Sequence, residues 1–320
     1  MKNILITGVV GFIGSNLYRY LLKKNYKIIG IDDLSIGKLK NINKKKIKFY
    51  KCKIQNINNL KIIDKIDTII HLAAKAEIVI PKSKENIYFE SNVAGLQATL
   101  QFASKKKVKK FIFASSASVY GDTKNLKVKE NFILDPKHYY SYTKFLGEKM
   151  VKEYCNINQI NYVIFRFFNV YGEKSNAVVA RFVAQYLQNK KITIYGNGKQ
   201  KRDFIYIDDL NKAIFRSINN KNANNEIFNV GAGKPVSIVY LKNLISKKNK
   251  TINLPKRSDD IEVSISNISK IKKKLQWKPE INFNDGIKKM IERDKQRLSN
   301  YKLLSPKEIK KIIIKFNSKI

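Results

Sequence analysis

Short apolar runs and longer segments of helical period alternate through the first half of the chain. The spacing predicts strands over residues 3–7, 27–31, 47–51, 67–72, 109–115 and 161–168, with helices that include 12–24, 85–105 and 139–155. Runs such as Thr68-Ile69-Ile70 and Phe111-Ile112-Phe113-Ala114 are apolar without alternation, as strands covered on both faces must be. The succession predicts an α/β fold, a Rossmann-type doubly wound parallel sheet. After about residue 170 the rhythm loosens into shorter elements separated by Gly196-Asn197-Gly198, Gly231-Ala232-Gly233 and Leu254-Pro255.

Three regions are expected: 1–172 as the sheet domain, 173–298 as a smaller α/β substrate lobe partly interleaved with it, and 299–320 as a basic helical tail. The tail opens with Ser305-Pro306-Lys307-Glu308, a capping box with proline at the first helical position. Ile309, Ile312, Ile313 and Phe316 then share one stripe among lysines. Such a stripe docks on its own protein or, alternatively, touches an acidic membrane surface.

With 320 residues and 43% apolar side chains the chain can bury a large core, which excludes a disordered or fibrous protein. Its charge is the unusual quantity: 64 basic residues against 25 acidic ones, a net +39. Only eight of the basic residues are arginine, and the lysines are spread over the whole length. Arginine is the better residue for bidentate phosphate or guanine contacts, so the excess reads as a solvated surface without specific nucleic-acid recognition. Two cysteines, Cys52 and Cys155, and two histidines, His71 and His138, give no metal-binding spacing and no disulfide framework. No run approaches ~18 uninterrupted apolar residues, so no integral membrane segment is expected and the chain reads as soluble and cytoplasmic.

The first strand runs into Thr7-Gly8-Val9-Val10-Gly11-Phe12-Ile13-Gly14, a glycine-spaced turn that opens a helix. Gly8, Gly11 and Gly14 let the backbone approach a pyrophosphate, while Phe12, Ile13 and their neighbours present free N–H groups at the positive end of the helix dipole. The second strand ends in Asp32-Asp33, where a carboxylate accepts ribose hydroxyls and repels a 2′-phosphate. The cofactor expected is NAD rather than NADP, with Asp32 as the ribose ligand and Asp33 able to share or take that role.

Tyrosine and lysine four apart share a helix face, and an ammonium beside a phenol is expected to lower its pKa and make it a base for a sugar hydroxyl. The spacing occurs five times, beginning at Tyr20, Tyr120, Tyr140, Tyr186 and Tyr195. Only Tyr140 both begins a long helix and follows a serine-rich strand end at the carboxyl edge of the predicted sheet. Tyr140 and Lys144 are therefore the expected catalytic pair, and Tyr120 with Lys124 the rival. His71 is read as a packed strand-end residue.

With these residues in hand, the chain resembles the extended short-chain dehydrogenases/reductases of the NAD-dependent nucleotide-sugar epimerase/dehydratase group, and in pattern the UDP-hexose 4-epimerases most closely. The resemblance covers about residues 3–297 and rests on ordered motifs. They are the glycine turn, His71-Leu72-Ala73-Ala74, Asn92-Val93-Ala94-Gly95, Ser115-Ser116-Ala117-Ser118-Val119-Tyr120-Gly121, Tyr140 with Lys144, Arg166-Phe167-Phe168-Asn169-Val170-Tyr171-Gly172, Arg202-Asp203-Phe204 and Leu275-Gln276-Trp277-Lys278-Pro279.

The resemblance implies that Ser116 hydrogen-bonds the reacting sugar oxygen, that Tyr140 is the base, and that Lys144 also holds the nicotinamide ribose. Ala73 and Asn92 match positions lining the NAD site. Asn169, Arg202, Arg257 and Asp260 match groups that hold the nucleotide diphosphate and its ribose, and main-chain groups around Val178 are expected at the base or phosphate. Dehydratases and decarboxylases of this type keep a carboxyl group before Val-Tyr-Gly; Ser116-Ala117-Ser118 has none, which favours epimerisation.

Ser264 stands where related epimerases place a tyrosine, leaving room for a 2-acetamido group, so the substrates expected are UDP-glucose/galactose or UDP-N-acetylhexosamines. Two departures are Cys52-Lys53-Ile54 in place of the third-strand Gly-Asp-Ile pattern, whose aspartate meets adenine, and a short loop after Tyr171-Gly172. By analogy, helices 85–105 and 139–155 form a homodimer interface. The alternatives are another dehydratase, decarboxylase or reductase on the same scaffold, or a non-catalytic NAD- or nucleic-acid-binding protein.

Overall fold

The computed structural model describes residues 2–77, 82–123, 127–256 and 261–302. The apolar runs of the first half become β1 (Asn3–Thr7), β2 (Lys27–Asp32), β3 (Lys48–Lys51), β4 (Thr68–His71) and β5 (Lys110–Ser116). Beyond them lie β6 (Lys127–Val128), β7 (Asn161–Phe167), β8 (Asn169–Tyr171), β9 (Ile192–Tyr195) and β10 (Lys201–Tyr206). The last strands are β11 (Glu226–Val230), β12 (Pro235–Ser237), β13 (Thr251–Leu254) and β14 (Val263–Ser266). Seven of these form the central sheet, ordered β3-β2-β1-β4-β5-β7-β11, with every neighbouring pair parallel.

β1 pairs β2 on one side and β4 on the other, with Thr7 in register with both Ile31 and His71. The chain order reverses there, so the loops after β1 and β4 separate and leave a crevice at the carboxyl ends of the strands.

Residue alternation along β1 sends Ile4 and Ile6 into one apolar cluster and Leu5 into the other. On the first face they meet Leu17 and Leu21 of α1 (Phe12–Leu22). The opposite face is covered through Leu96 and Val151, from two helices placed below. Each such side chain, fully buried, contributes about 1.5–3 kcal/mol.

The segment expected as one helix over 85–105 is α2 (Glu85–Phe89), a π-helical turn at Glu90–Ala94, and α3 (Gly95–Lys105). The π turn carries Asn92 inward: its Oδ1 accepts from Lys75 N at 2.8 Å, and its Nδ2 donates to Lys75 O and to Thr143 Oγ1, both at 2.9 Å. α4 (Tyr139–Ile157) begins where Ser141 Oγ accepts from the His138 N–H at 2.9 Å and donates to His138 O at 2.7 Å, which fixes Tyr140 in the first turn.

The later helices are α5 (Val178–Leu187), α6 (Ile207–Ile218), α7 (Ile238–Ile245), α8 (Ser269–Leu275) and α9 (Phe283–Lys302). α9 continues past residue 298, where the tail was expected to start; residues 303–320, with the capping box and isoleucine stripe, lie outside the described residues. A second sheet, ordered β12-β10-β14-β6 with β8 on β10, stands beside the first, and β9 pairs β13. Asp203 locks it. Fully buried, it accepts from the amides of Ala232 (2.7 Å), Gly233 (3.0 Å) and Ser266 (2.9 Å).

Candidate active site

A continuous cleft of about 1960 Å³ runs from the end of β2, over the glycine turn, to β9 and β10. Gly8, Gly11, Phe12, Ile13 and Gly14 form its floor. Gly8 has φ +70°, and a Cβ there would stand 2.9 Å from Ala73 N; one on Gly14 would run into the Gly8 carbonyl. Gly11 caps α1 without any side-chain hydrogen bond, and the first turn holds no acidic residue. The leading N–H groups of α1 are thus left for an anion, and the missing side chains give it room.

Asp32 and Asp33 both line the cleft. Asp32 is tied to the glycine turn, its Oδ2 accepting from Val10 N at 3.1 Å and its Oδ1 from Leu34 N at 2.9 Å; burial holds its carboxyl above the usual range. Asp33 turns back on its own loop and accepts from Ser35 N at 2.9 Å. Each oxygen keeps lone pairs for a ribose hydroxyl. Ala73 lines the opposite wall, its amide donating to Thr7 Oγ1 at 3.1 Å. Asn92 is 3% exposed, with its amide engaged by Lys75 and Thr143, so its side chain braces the loop behind that wall.

Ser116, Tyr140 and Lys144 meet at the carboxyl end of β5, beside Ala114, which lines the cleft. Tyr140 shares a hydrogen bond with Ser116, and Ser116 Oγ accepts from the Ser118 hydroxyl at 3.0 Å. Lys144 Nζ donates to Ala114 O at 2.8 Å and lies 6.0 Å from the centre of the Tyr140 ring. The expected lowering of the phenol by this ammonium is corrected by these contacts. Burial pushes Tyr140 up to about 12 against the Ser116 hydrogen bond, and brings Lys144 down to about 8. The lysine is directed at a carbonyl, so desolvation dominates both groups.

The rival Tyr120 is 1% exposed and its hydroxyl donates to Asn229 Oδ1 at 2.7 Å while accepting from Arg166 at 2.9 Å; Lys124 lies outside the described residues. Tyr120 is a core residue.

Asn169, Val178 and Arg202 line the far end of the cleft. Strand alternation explains the Arg-Asp pair, since Asp203 turns into the core and Arg202 to the cleft. Ser264 is in register with Arg202 on the neighbouring strand. Arg257 and Asp260 lie outside the described residues.

Sequence reasoning missed several cleft residues. Lys75 Nζ reaches Ser35 Oγ at 2.9 Å, joining the loops that flank the crevice. Gly37 packs on Val10 so closely that a Cβ would sit 2.5 Å from its carbonyl. Arg181 places its guanidinium 5.6 Å from the Tyr195 ring centre, with Gln200 Nε2 donating to Tyr195 O at 3.0 Å. Arg181 carried a usable clue: it is one of eight arginines in a chain that elsewhere uses lysine.

The NAD dependent epimerase/dehydratase family model matches residues 4–231. The chain belongs to this family. A UDP-glucuronate 4-epimerase of Thermodesulfobacterium geofontis is 32% identical over 317 residues, covering 93% of this chain and 98% of the relative. The crystal structure of Thermotoga maritima UDP-glucose 4-epimerase with UDP-glucose superposes with a TM-score of 0.86 at 30% identity, covering 92% of this chain and 99% of that one. A UDP-N-acetylglucosamine 4-epimerase from Methanobrevibacter ruminantium, in complex with UDP-N-acetylmuramic acid, has the same TM-score and coverage at 29% identity. The epimerase/dehydratase family is NAD-dependent, and the uncapped helix and glycine floor described above fit that dinucleotide. Among the described residues no helix is long and apolar enough to cross a membrane.

Proposed function

We propose that this family member is a UDP-sugar 4-epimerase, working through a transient 4-keto sugar. The observation that carries the reading is the Ser116–Tyr140–Lys144 cluster at the mouth of β5, with the triplet Ser116-Ala117-Ser118 offering hydroxyls and no carboxyl group. Elimination of water needs a further acid or base there; inversion at C4 needs one base and a hydride carrier. NAD, when bound, supplies that carrier and the positive charge of its oxidised ring.

The chain's own groups do the rest. Tyr140 removes the proton of the C4 hydroxyl as the C4–H bond gives up its hydride, and returns the proton after the keto sugar has turned its other face. Ser116 holds the same oxygen in both directions. The glycine turn and the start of α1 would hold the pyrophosphate, Asp32 the adenosine ribose and Lys144 the nicotinamide ribose. Arg202, Asn169 and the start of α5 near Val178 would bind the sugar nucleotide, and Ser264 leaves space for an acetamido group.

The proposal extends to a cytoplasmic setting, where Cys52 and Cys155 stay free. It also includes a homodimer through the helical segment 85–105 and α4, where Phe89, Tyr142 and Leu146 are each more than 40% exposed.

The test is incubation with UDP-glucose, UDP-N-acetylglucosamine and UDP-glucuronate, with the stereoisomers resolved by chromatography and weighed by mass spectrometry. An isomer of unchanged mass is expected from at least one, and Tyr140→Phe should cut its rate by about 10²–10⁴-fold. Loss of water or carbon dioxide from the product would replace epimerisation with a dehydratase or decarboxylase reading.

A further inference from the structure

Beneath the proposed catalytic cluster lies an ion pair that the reaction as described does not use. Glu148 follows Lys144 by one turn of α4 and Arg166 stands in β7; their side chains are 4% and 2% exposed. Glu148 Oε1 accepts from Arg166 Nε at 2.9 Å and from Ser115 Oγ at 2.5 Å, and its Oε2 accepts from Arg166 Nη2 at 2.6 Å. Arg166 Nη1 donates onward to Tyr120 Oη (2.9 Å) and Glu130 O (2.8 Å). Ser115 and Arg166 are register partners across β5 and β7.

A buried pair of this kind costs about as much to desolvate as it returns, and apolar residues of similar volume stabilise a core as well or better. Its value here is sought in what it touches: the strand residue next to Ser116, and the helix turn next to Lys144.

We propose that Glu148 and Arg166 are positioning residues for the epimerisation: through Ser115 and Arg166, Glu148 ties the helix that carries Tyr140 and Lys144 to the Ser115–Ser116 strand end and so sets Tyr140 against Ser116. The inference rests on the function proposed above. Lys144 lies near Tyr140 and Glu148 on its own helix and near His71 from β4, while Tyr88 of α2 faces Tyr140 and Arg166 of β7 is bound to Glu148. Of these, Glu148 is the group that opposes burial at Lys144. His71 is held neutral, since burial first and the lysine charge second bring it down to about 3.

The decisive variants are Glu148→Gln and the double variant Glu148→Gln/Arg166→Gln, which removes both charges and leaves no buried ion unpaired. Two readouts are taken across pH 6–10: NAD affinity by fluorescence, which needs no sugar, and kcat and KM for epimerisation. In Glu148→Gln the alkaline limb of NAD affinity and of kcat should move down, because a negative charge near Lys144 is gone; in the double variant, where the Arg166 charge leaves with it, the limbs should hold and kcat should still fall. At pH 8 kcat should fall about tenfold with KM for the sugar nucleotide nearly unchanged. Glu148→Asp should restore part of both.

If the single variant fails to fold, the double variant decides. A double variant with wild-type kcat, or one in which KM rises along with the fall in kcat, overturns the proposal and leaves the pair a purely structural brace. If the wild-type protein turns over no UDP-sugar, the function falls, while a displaced NAD-affinity limb still supports the link between Glu148 and Lys144.

Discussion

His71 ends β4 at the edge of the crevice, 1% exposed, with its ring centre 6.1 Å from those of both Phe111 and Phe113 and its Nδ1 3.2 Å from Thr7 Oγ1. Burial, with Lys144 adding repulsion, brings its pKa from 6.5 down to about 3, so the folded protein keeps the ring neutral where the unfolded chain would protonate it. Between those values the unfolded state binds the extra proton, and stability rises with pH. The contribution is complete above pH 6.5 and is lost as the pH falls towards 3, on the order of 5 kcal/mol in all. His71→Asn should therefore flatten the pH dependence of urea unfolding between pH 4 and 7, and equal slopes in the two proteins would refute this account. Single residues differ in how much they disclosed beforehand. That Tyr140 lies at the carboxyl edge of the sheet was legible from its spacing and its place at the start of a helix after a strand end, and its hydrogen-bonded partner Ser116 was named only through the family resemblance. The charge states were not legible, because desolvation depends on what three other elements pack around them.

At the scale of elements, the inner strands of the central sheet were readable because burial on both faces leaves apolar runs such as Thr68-Ile69-Ile70 and Phe111-Ile112-Phe113, whereas β11 at one edge, Glu226–Val230, was not among the expected strands. The π turn in the 85–105 helix has no period of its own and could not be read; only its consequence, the inward Asn92 clamp on Lys75, gives it a reason. The second sheet was also opaque, since strands as short as Lys127–Val128 find their partner, Ile265–Ser266, across more than a hundred residues. The turn into α1 is the element with the sharpest consequence for function. Because a Cβ on Gly14 meets the Gly8 carbonyl and the Val9 backbone rather than a movable side chain, Gly14→Ala must push the turn into the space proposed for the pyrophosphate. NAD affinity should fall at least tenfold, about 1.4 kcal/mol, while the far end of the cleft still binds UDP. Calorimetric titration of both ligands separates these effects, and unchanged NAD affinity would remove the turn from the cofactor site.

For the whole molecule, the proposed dimer sets apolar burial against charge. α2 packs on α4, and Tyr142 and Leu146, one turn apart on α4, stay about half exposed, as does Phe89 on α2. Each copy carries a formal +39, so two copies brought together repel strongly, and the repulsion is screened over ~10 Å at 0.1 M salt. Association should therefore tighten as salt rises from about 0.02 M to 0.3 M, opposite to the trend for an assembly held by ion pairs between the copies. Leu146→Glu isolates the apolar contribution: it lowers the net charge of each copy and so weakens the repulsion, yet buries a carboxylate in the proposed interface. Sedimentation at 0.3 M salt should give twice 37.1 kDa for the wild type and 37.1 kDa for the variant. Because Leu146 faces away from the Ser116–Tyr140 contact, the monomer should keep its NAD affinity. A wild type that stays at 37.1 kDa at every salt concentration would leave these side chains without the partner assigned to them.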